Sequence, residues 1–209
     1  MSKNTGDFAG NGRDLIFELR TYRFDTMAAA TYLDLFQSEG LEHITKTLRM
    51  AGYWQTESGE LNVLHHLWVY KDFADRAALR IALARNVPWT KSFAPKGFPM
   101  IRHQKSRFLA LEEGSPTLSS VLHGLGEPHS PVPSGAPLYA EAWHGLSTSS
   151  EPPAALSGEI IARWRVLSGE EPGTYLTLIR FASAAAIVLP DVPAIRHEVL
   201  RPCCFSPLA

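Results

Sequence analysis

Cysteine is nearly missing from this sequence. There are two in 209 residues, and they are neighbours, Cys203 and Cys204. Adjacent cysteines build no disulfide framework, because a bridge between neighbours is strained. They read as small apolar residues with no redox or metal role. Charge of one sign is missing too: 20 basic against 21 acidic residues leave a formal net charge of -1. That excludes a broad electrostatic footprint for nucleic acid or an anionic membrane. No apolar run approaches the length that spans a bilayer. The opening stretch, MSKNTGDFAGNGRD, has no apolar segment of a secretory signal and too few arginines for a transit peptide. A disordered leader over 1–14 and a cytoplasmic location are therefore expected.

The chemistry-bearing motifs are thin as well. None of the eight histidines stands in an H-x-x-x-H arrangement and there is no C-x-x-C, so no metal site is expected. The GLGEP stretch at Gly124 follows no strand, so it is not a nucleotide fingerprint. A hydrolytic triad and paired catalytic carboxylates are also missing. No cofactor is expected.

What is present is period and repetition. LIFELRTYRF (15–24) alternates like a strand, and an apolar stripe at helical spacing follows, bent at Gly40. AGYWQTES (51–58) and VLHHLWVY (63–70) read as a hairpin with Gly59 in the turn. Asp72 caps a helix over 73–85, a helical turn is expected at 89–93, and 99–111 is a fourth strand. The order β-α-β-β-α-β is the ferredoxin-like split unit. From 113 to 136 the chain turns rich in Gly, Pro and Ser and reads as a linker, with His123 and His129 solvated. The pattern then returns: a strand at 137–146, a hairpin within 159–181, a stunted helix, and a last strand. PMIRH (99–103) and PAIRH (193–197) each begin the fourth strand of a half. ARWRVLSGEE likewise lies over GYWQTESGEL. The expected organisation is a domain over 15–112, the linker, and a degenerate copy over 137–209 with shortened helices. The fold class is α+β, two ferredoxin-like repeats forming an α/β barrel. The chain is then either a monomeric pseudo-dimer or a homodimer of paired halves.

A βαββαβ sheet carries its helices on one face, and the other face must also be covered. Alternation puts Glu18, Arg20 and Tyr22 on one side of the first strand, with Leu64, His66, Trp68 and Tyr70 on one side of the third. Trp54, or the opposite set of its strand, joins them. In the second half Glu141, Trp143, Trp164 and Arg180 correspond. Val63, Leu67 and Val69 are assigned to the helix side. The aromatic face with a few polar groups has the character of a pocket wall. A small apolar or aromatic ligand is expected in the barrel. His66 is the candidate base and Arg20 the candidate oxyanion partner, with Glu18, Tyr22, Trp54, Trp68 and Tyr70 as ligand contacts. The competing reading is a packed core in which Glu18 and Arg20 simply pair.

FELRTYRF, EGLEH, GYWQTESGELNVLHHLWVYKDFADRAALR and the closing RPCCFSPLA resemble the NIPSNAP family. The likeness is strong over 16–107, weak over 138–181, and returns in the tail. It implies the dimeric α/β-barrel superfamily, in which two ferredoxin-like sheets close into one barrel. It implies no agreed catalytic mechanism. Relatives in that superfamily carry out cofactor-independent oxygenation or isomerisation, which is the expected chemistry if there is catalysis. The alternative is a non-enzymatic interaction protein with a packed barrel core.

Overall fold

A computed structural model describes residues 12–153, 157–188 and 195–209. β1 (Ile16–Phe24) leads into α1 (Ala28–Leu35), a π-helical turn (Phe36–Gly40) and α2 (Leu41–Thr45). The break falls where Gly40 brings the backbone against Phe93, whose ring would lie 2.9 Å from an added Cβ. β2 (Arg49–Thr56) and β3 (Val63–Tyr70) form the hairpin, and α3 (Phe73–Ala84) starts at Asp72, whose side chain accepts from the Asp75 amide at 2.7 Å. A second π turn (Trp89–Phe93) and α4 (Ala94–Gly97) precede β4 (Ile101–Gly114). Then come α5 (Pro116–Gly124), β5 (Trp143–Ser149), β6 (Glu159–Ser168), β7 (Tyr175–Phe181) and β8 (Arg196–Pro202).

The eight strands close into an antiparallel barrel in the order β1-β3-β2-β8-β5-β7-β6-β4. The first half contributes β4-β1-β3-β2 and the second β8-β5-β7-β6, the same order in each. Two seams join them, β2 to β8 and β4 to β6. The ring closes within one chain.

The lumen is a core. Leu19, Trp54, Leu67, Leu109, Trp164 and Leu178 meet there and leave only about 10 Å3. An eight-stranded barrel is just wide enough for its side chains to fill it. This corrects the expectation of a ligand in the barrel. It also inverts the assignment of faces. Phe17, Leu19, Leu67 and Val69 point into the lumen core, whereas Tyr22, Leu64, Trp68 and Tyr70 pack with Tyr32, Leu33 and Phe36 beneath the helices. Every residue of β3 is buried, so alternation carries no sign of which side is which.

Three further expectations change. The stretch read as a linker holds the end of β4 and then α5, which starts on Pro116 with the Ser115 side chain accepting from the Leu118 amide at 3.2 Å. Leu118 and Leu122 join the lumen core, so α5 closes one end of the barrel. His123 is exposed as expected, but His129 is half-buried, its amide donating to Thr45 Oγ1 at 3.0 Å. The fifth strand starts at Trp143, six residues later than the sequence pattern places it. Most of the expected leader (1–11) and residues 189–194 of the stunted helix and its junction with the last strand lie outside the described residues. No helix among the described residues is long and apolar enough to cross a membrane.

Candidate functional site

A cavity of about 400 Å3 lies outside the lumen, between the first-half sheet and the chain that covers it. Tyr22, Tyr53 and Trp68 form its sheet side; Tyr32, Phe36 and Trp89 come from the covering segments. Tyr32 and Phe36 stack at 6.0 Å between ring centroids, and Trp89 stacks on Phe93 at 4.7 Å. Arg20, Arg80 and His66 add polar groups to this aromatic lining.

Glu18 organises the cationic side. It is fully buried, and it accepts from Arg76 Nη2 at 2.8 Å, Arg76 Nε at 2.9 Å and Arg80 Nη2 at 3.0 Å. Ser106 Oγ donates to it at 2.8 Å and Tyr70 Oη at 3.2 Å, while Arg20 Nη1 approaches to 3.4 Å. Burial alone would raise its pKa. The hydrogen bond from Arg76, the Arg80 charge and the Ser106 hydrogen bond overcome that and hold the carboxyl far below the ordinary range. One carboxylate thus faces three guanidiniums. The surplus of positive charge sits where Arg20 and Arg80 border the cavity. Arg20 is oriented by Gln104, whose Oε1 accepts from Nη2 at 2.7 Å, and by the Tyr22 ring at 5.5 Å.

His66 is fixed as a donor. Its ring stacks on Tyr53 at 4.9 Å and meets the Tyr22 edge at 4.5 Å. The Trp68 indole N–H donates to His66 Nδ1. An indole only donates, so Nδ1 carries a lone pair and the proton of the neutral ring is on Nε2. Burial, then the charges of Arg20 and Arg80, push the His66 pKa well below its usual value, so the ring is neutral. Nε2 has no hydrogen-bond partner. This geometry offers a hydrogen-bond donor at Nε2 where the sequence suggests a base.

The expected site residues divide accordingly. Arg20, Tyr22, His66 and Trp68 line one cavity. Glu18 and Tyr70 stand behind them as supports. Trp54 points to the other side of the sheet, where its N–H donates to His144 Nδ1 at 3.3 Å. Trp164 also lines the lumen, while Glu141, Trp143 and Arg180 border a shallow cleft outside it. Sequence reasoning missed Tyr53, Tyr32, Trp89 and Arg80. For Arg80 a signal existed: Arg76 and Arg80, four apart on α3, face one carboxylate.

All residues of this cavity fall between Arg20 and Gln104. That segment lies inside residues 17–116, which match the NIPSNAP family. A NIPSNAP domain protein from Burkholderia xenovorans is 38% identical over 48% of this chain and 98% of its own, with a TM-score of 0.46. The chain belongs to the NIPSNAP family. Human NipSnap homolog 3A is 29% identical over 99 residues, 46% of this chain and 39% of the human protein. Mouse NipSnap homolog 3B is 33% identical over 103 residues, 48% of this chain and 40% of the mouse protein. The NIPSNAP match thus spans about two fifths of the length of these curated relatives. An anthrone oxidase-like protein shares the whole architecture, with a TM-score of 0.52 over 91% of both chains at 9% identity. That identity speaks for the fold alone. The NIPSNAP segment supplies the whole aromatic cavity, whereas the lumen and the barrel ends draw on both halves.

Proposed function

We propose that this NIPSNAP protein binds a small planar, largely apolar molecule carrying an anionic or enolic oxygen, in the cavity between the first-half sheet and its helices. One observation carries the reading: three guanidiniums gather on one buried carboxylate at the edge of an aromatic cavity, beside a neutral histidine whose donor nitrogen has no partner. Aromatic walls hold a flat ligand through apolar area and ring contacts. The surplus cation and the Nε2–H answer a developing negative oxygen. The same features suit enolate stabilisation, on which cofactor-independent isomerisation or oxygenation depends. His66 then steadies the oxygen and Arg20 balances its charge.

The packed lumen favours the structural alternative for the barrel interior only, and the ligand reading belongs to the outer cavity. The matching strand orders of the halves support a barrel made from an internal repeat, with the first copy keeping the site. The test is calorimetric titration with 2-naphthoate and with neutral 2-naphthamide. The acid should bind more tightly, and Arg20→Gln should weaken it at least tenfold, about 1.4 kcal/mol, while leaving the amide nearly unchanged. Equal binding of acid and amide, or no binding of either, would overturn the reading.

A further inference from the structure

The end of the barrel opposite α5 is polar and open. Two hairpin turns overhang it, and each begins Ser-Gly-Glu: Ser58-Gly59-Glu60 between β2 and β3, and Ser168-Gly169-Glu170 after β6. Both glycines have positive φ, 89° and 104°. At Gly169 a Cβ would also stand 2.5 Å from the Ser106 carbonyl oxygen. The two glutamates end on the rim and are neutralised there, Glu60 by Arg23 at 2.9 Å and Glu170 by Lys105 at 2.6 Å.

Inside this rim is a hollow of about 320 Å3. Its floor is His65, which also borders the packed lumen below and shares a 2.9 Å hydrogen bond with Thr21 Oγ1 through Nδ1. Arg107, His65 and Glu198 line the hollow, and all three are more than nine-tenths buried. The ion pairs around them are long, Arg107 to Glu171 at 3.7 Å, Arg196 to Glu171 at 3.5 Å and Arg196 to Glu198 at 3.4 Å, and His65 Nε2 stands 3.5 Å from Glu198. Two donors, Arg107 Nη1 and Arg196 Nε, have no hydrogen-bond partner. Neither do two acceptors, Glu171 Oε2 and Glu198 Oε2, nor His65 Nε2. Burial of the guanidinium and the nearby Arg196 charge lower the Arg107 pKa.

Leaving buried donors and acceptors unmade is costly, and the cost falls on both signs at once. Two guanidiniums and the Glu198 carboxylate line the floor, and Glu171 pairs with both guanidiniums. A simple anion would satisfy Arg107 but face Glu198. A simple cation would meet the reverse. A guest that satisfies both signs carries both. We propose that the barrel mouth binds a small zwitterion of the amino-acid class. Its carboxylate lies against the Arg107 guanidinium, and its ammonium against Glu198. The site draws Thr21, His65 and Arg107 from one half and Arg196 and Glu198 from the other, so it exists only where the ring is closed. It shares His103 with the lining of the aromatic cavity but none of its floor residues, and it stands independently of that reading.

The test is NMR titration of the whole chain with L-alanine, propionate and ethylammonium, the last two being the two charged halves of the first. L-leucine, L-glutamate and L-arginine sample the side chain. An amino acid should saturate at a concentration at least tenfold below either half. Glu198→Gln and Arg107→Met should each abolish saturation, with circular dichroism checking the fold. Arg196→Gln serves if Arg107→Met fails to fold. Arg20→Gln, which disables the aromatic cavity, should leave amino-acid binding unchanged. Propionate binding as tightly as every amino acid would make this a plain anion site and overturn the proposal. So would the failure of every amino acid to saturate.

Discussion

Two buried histidines carry the same signature. An indole N–H donates to Nδ1 in each, from Trp68 to His66 and from Trp54 to His144. Burial, reinforced by the Arg180 charge, lowers the His144 pKa from 6.5 to about 4. The unfolded chain therefore takes up a proton below pH 6.5 that the fold refuses until about 4. Stability is full above 6.5 and declines as pH falls through that window, by up to about 3 kcal/mol from this residue alone. His66 acts in the same direction, because its pKa is also depressed. Glu18, held far below its ordinary 4.5, adds a loss that begins beneath that value. Thermal denaturation between pH 7.5 and 4.5 should show a melting temperature falling from pH 6.5 downward. His144→Gln keeps an acceptor for Trp54 and should flatten that slope. An unchanged slope in the variant would count against the assignment.

At the scale of elements, α5 is the piece whose loss reaches furthest. Leu118 and Leu122, four apart, cover the apolar end of the barrel. Leu118→Ala should cost about 2–5 kcal/mol in urea unfolding, the range for a fully buried leucine. A change below about 0.5 kcal/mol would make α5 a surface appendage. Its sequence signal was local and brief: Ser115-Pro116 opens a helix, but the Gly, Pro and Ser on its C-terminal side masked a period only two turns long. The strands of the first half were legible because β-branched and aromatic residues alternate between clear turn signals. Their orientation was not. Glu18 and Arg20 look like an open face until Arg76 and Arg80 arrive from α3, and nothing in one strand announces an ion cluster closed by a distant helix. Phe17, Leu19, Leu67 and Val69 look equally fit to meet a helix or a lumen. The candidate residues, Trp54 apart, were thus legible as one face, and illegible as a place.

For the whole molecule, both halves run in the same strand order, and Ile101 of PMIRH and Arg196 of PAIRH each open the last strand of a half. The two seams are unequal. β4 runs beside β6 from Phe108 to Gly114, but β2 pairs in register with β8 over Trp54, Gln55 and Thr56, flanked by backbone bonds from Cys203 to Tyr53 and from Glu57 and Ser58 to Val199. A chain ending at residue 188 keeps the longer seam and lacks the shorter one, leaving β2 and β5 without their partner. Such a chain should self-associate, seen as a concentration-dependent mass in light scattering. A monodisperse monomer would show that β8 is dispensable.

The short seam also sets an order of events at the ribosome. β2 is synthesised early and pairs with β8, the barrel strand furthest along the sequence. At about 5–20 residues per second, roughly 5–20 s separate the completion of β4 from that of β8. During that interval the nascent first half has its aromatic cavity residues in hand, but β2 is unpaired on its outer side throughout and β4 until β6 is made. Whatever shields those strands in the cell, a chaperone or the ribosome surface itself, must act on the first half alone.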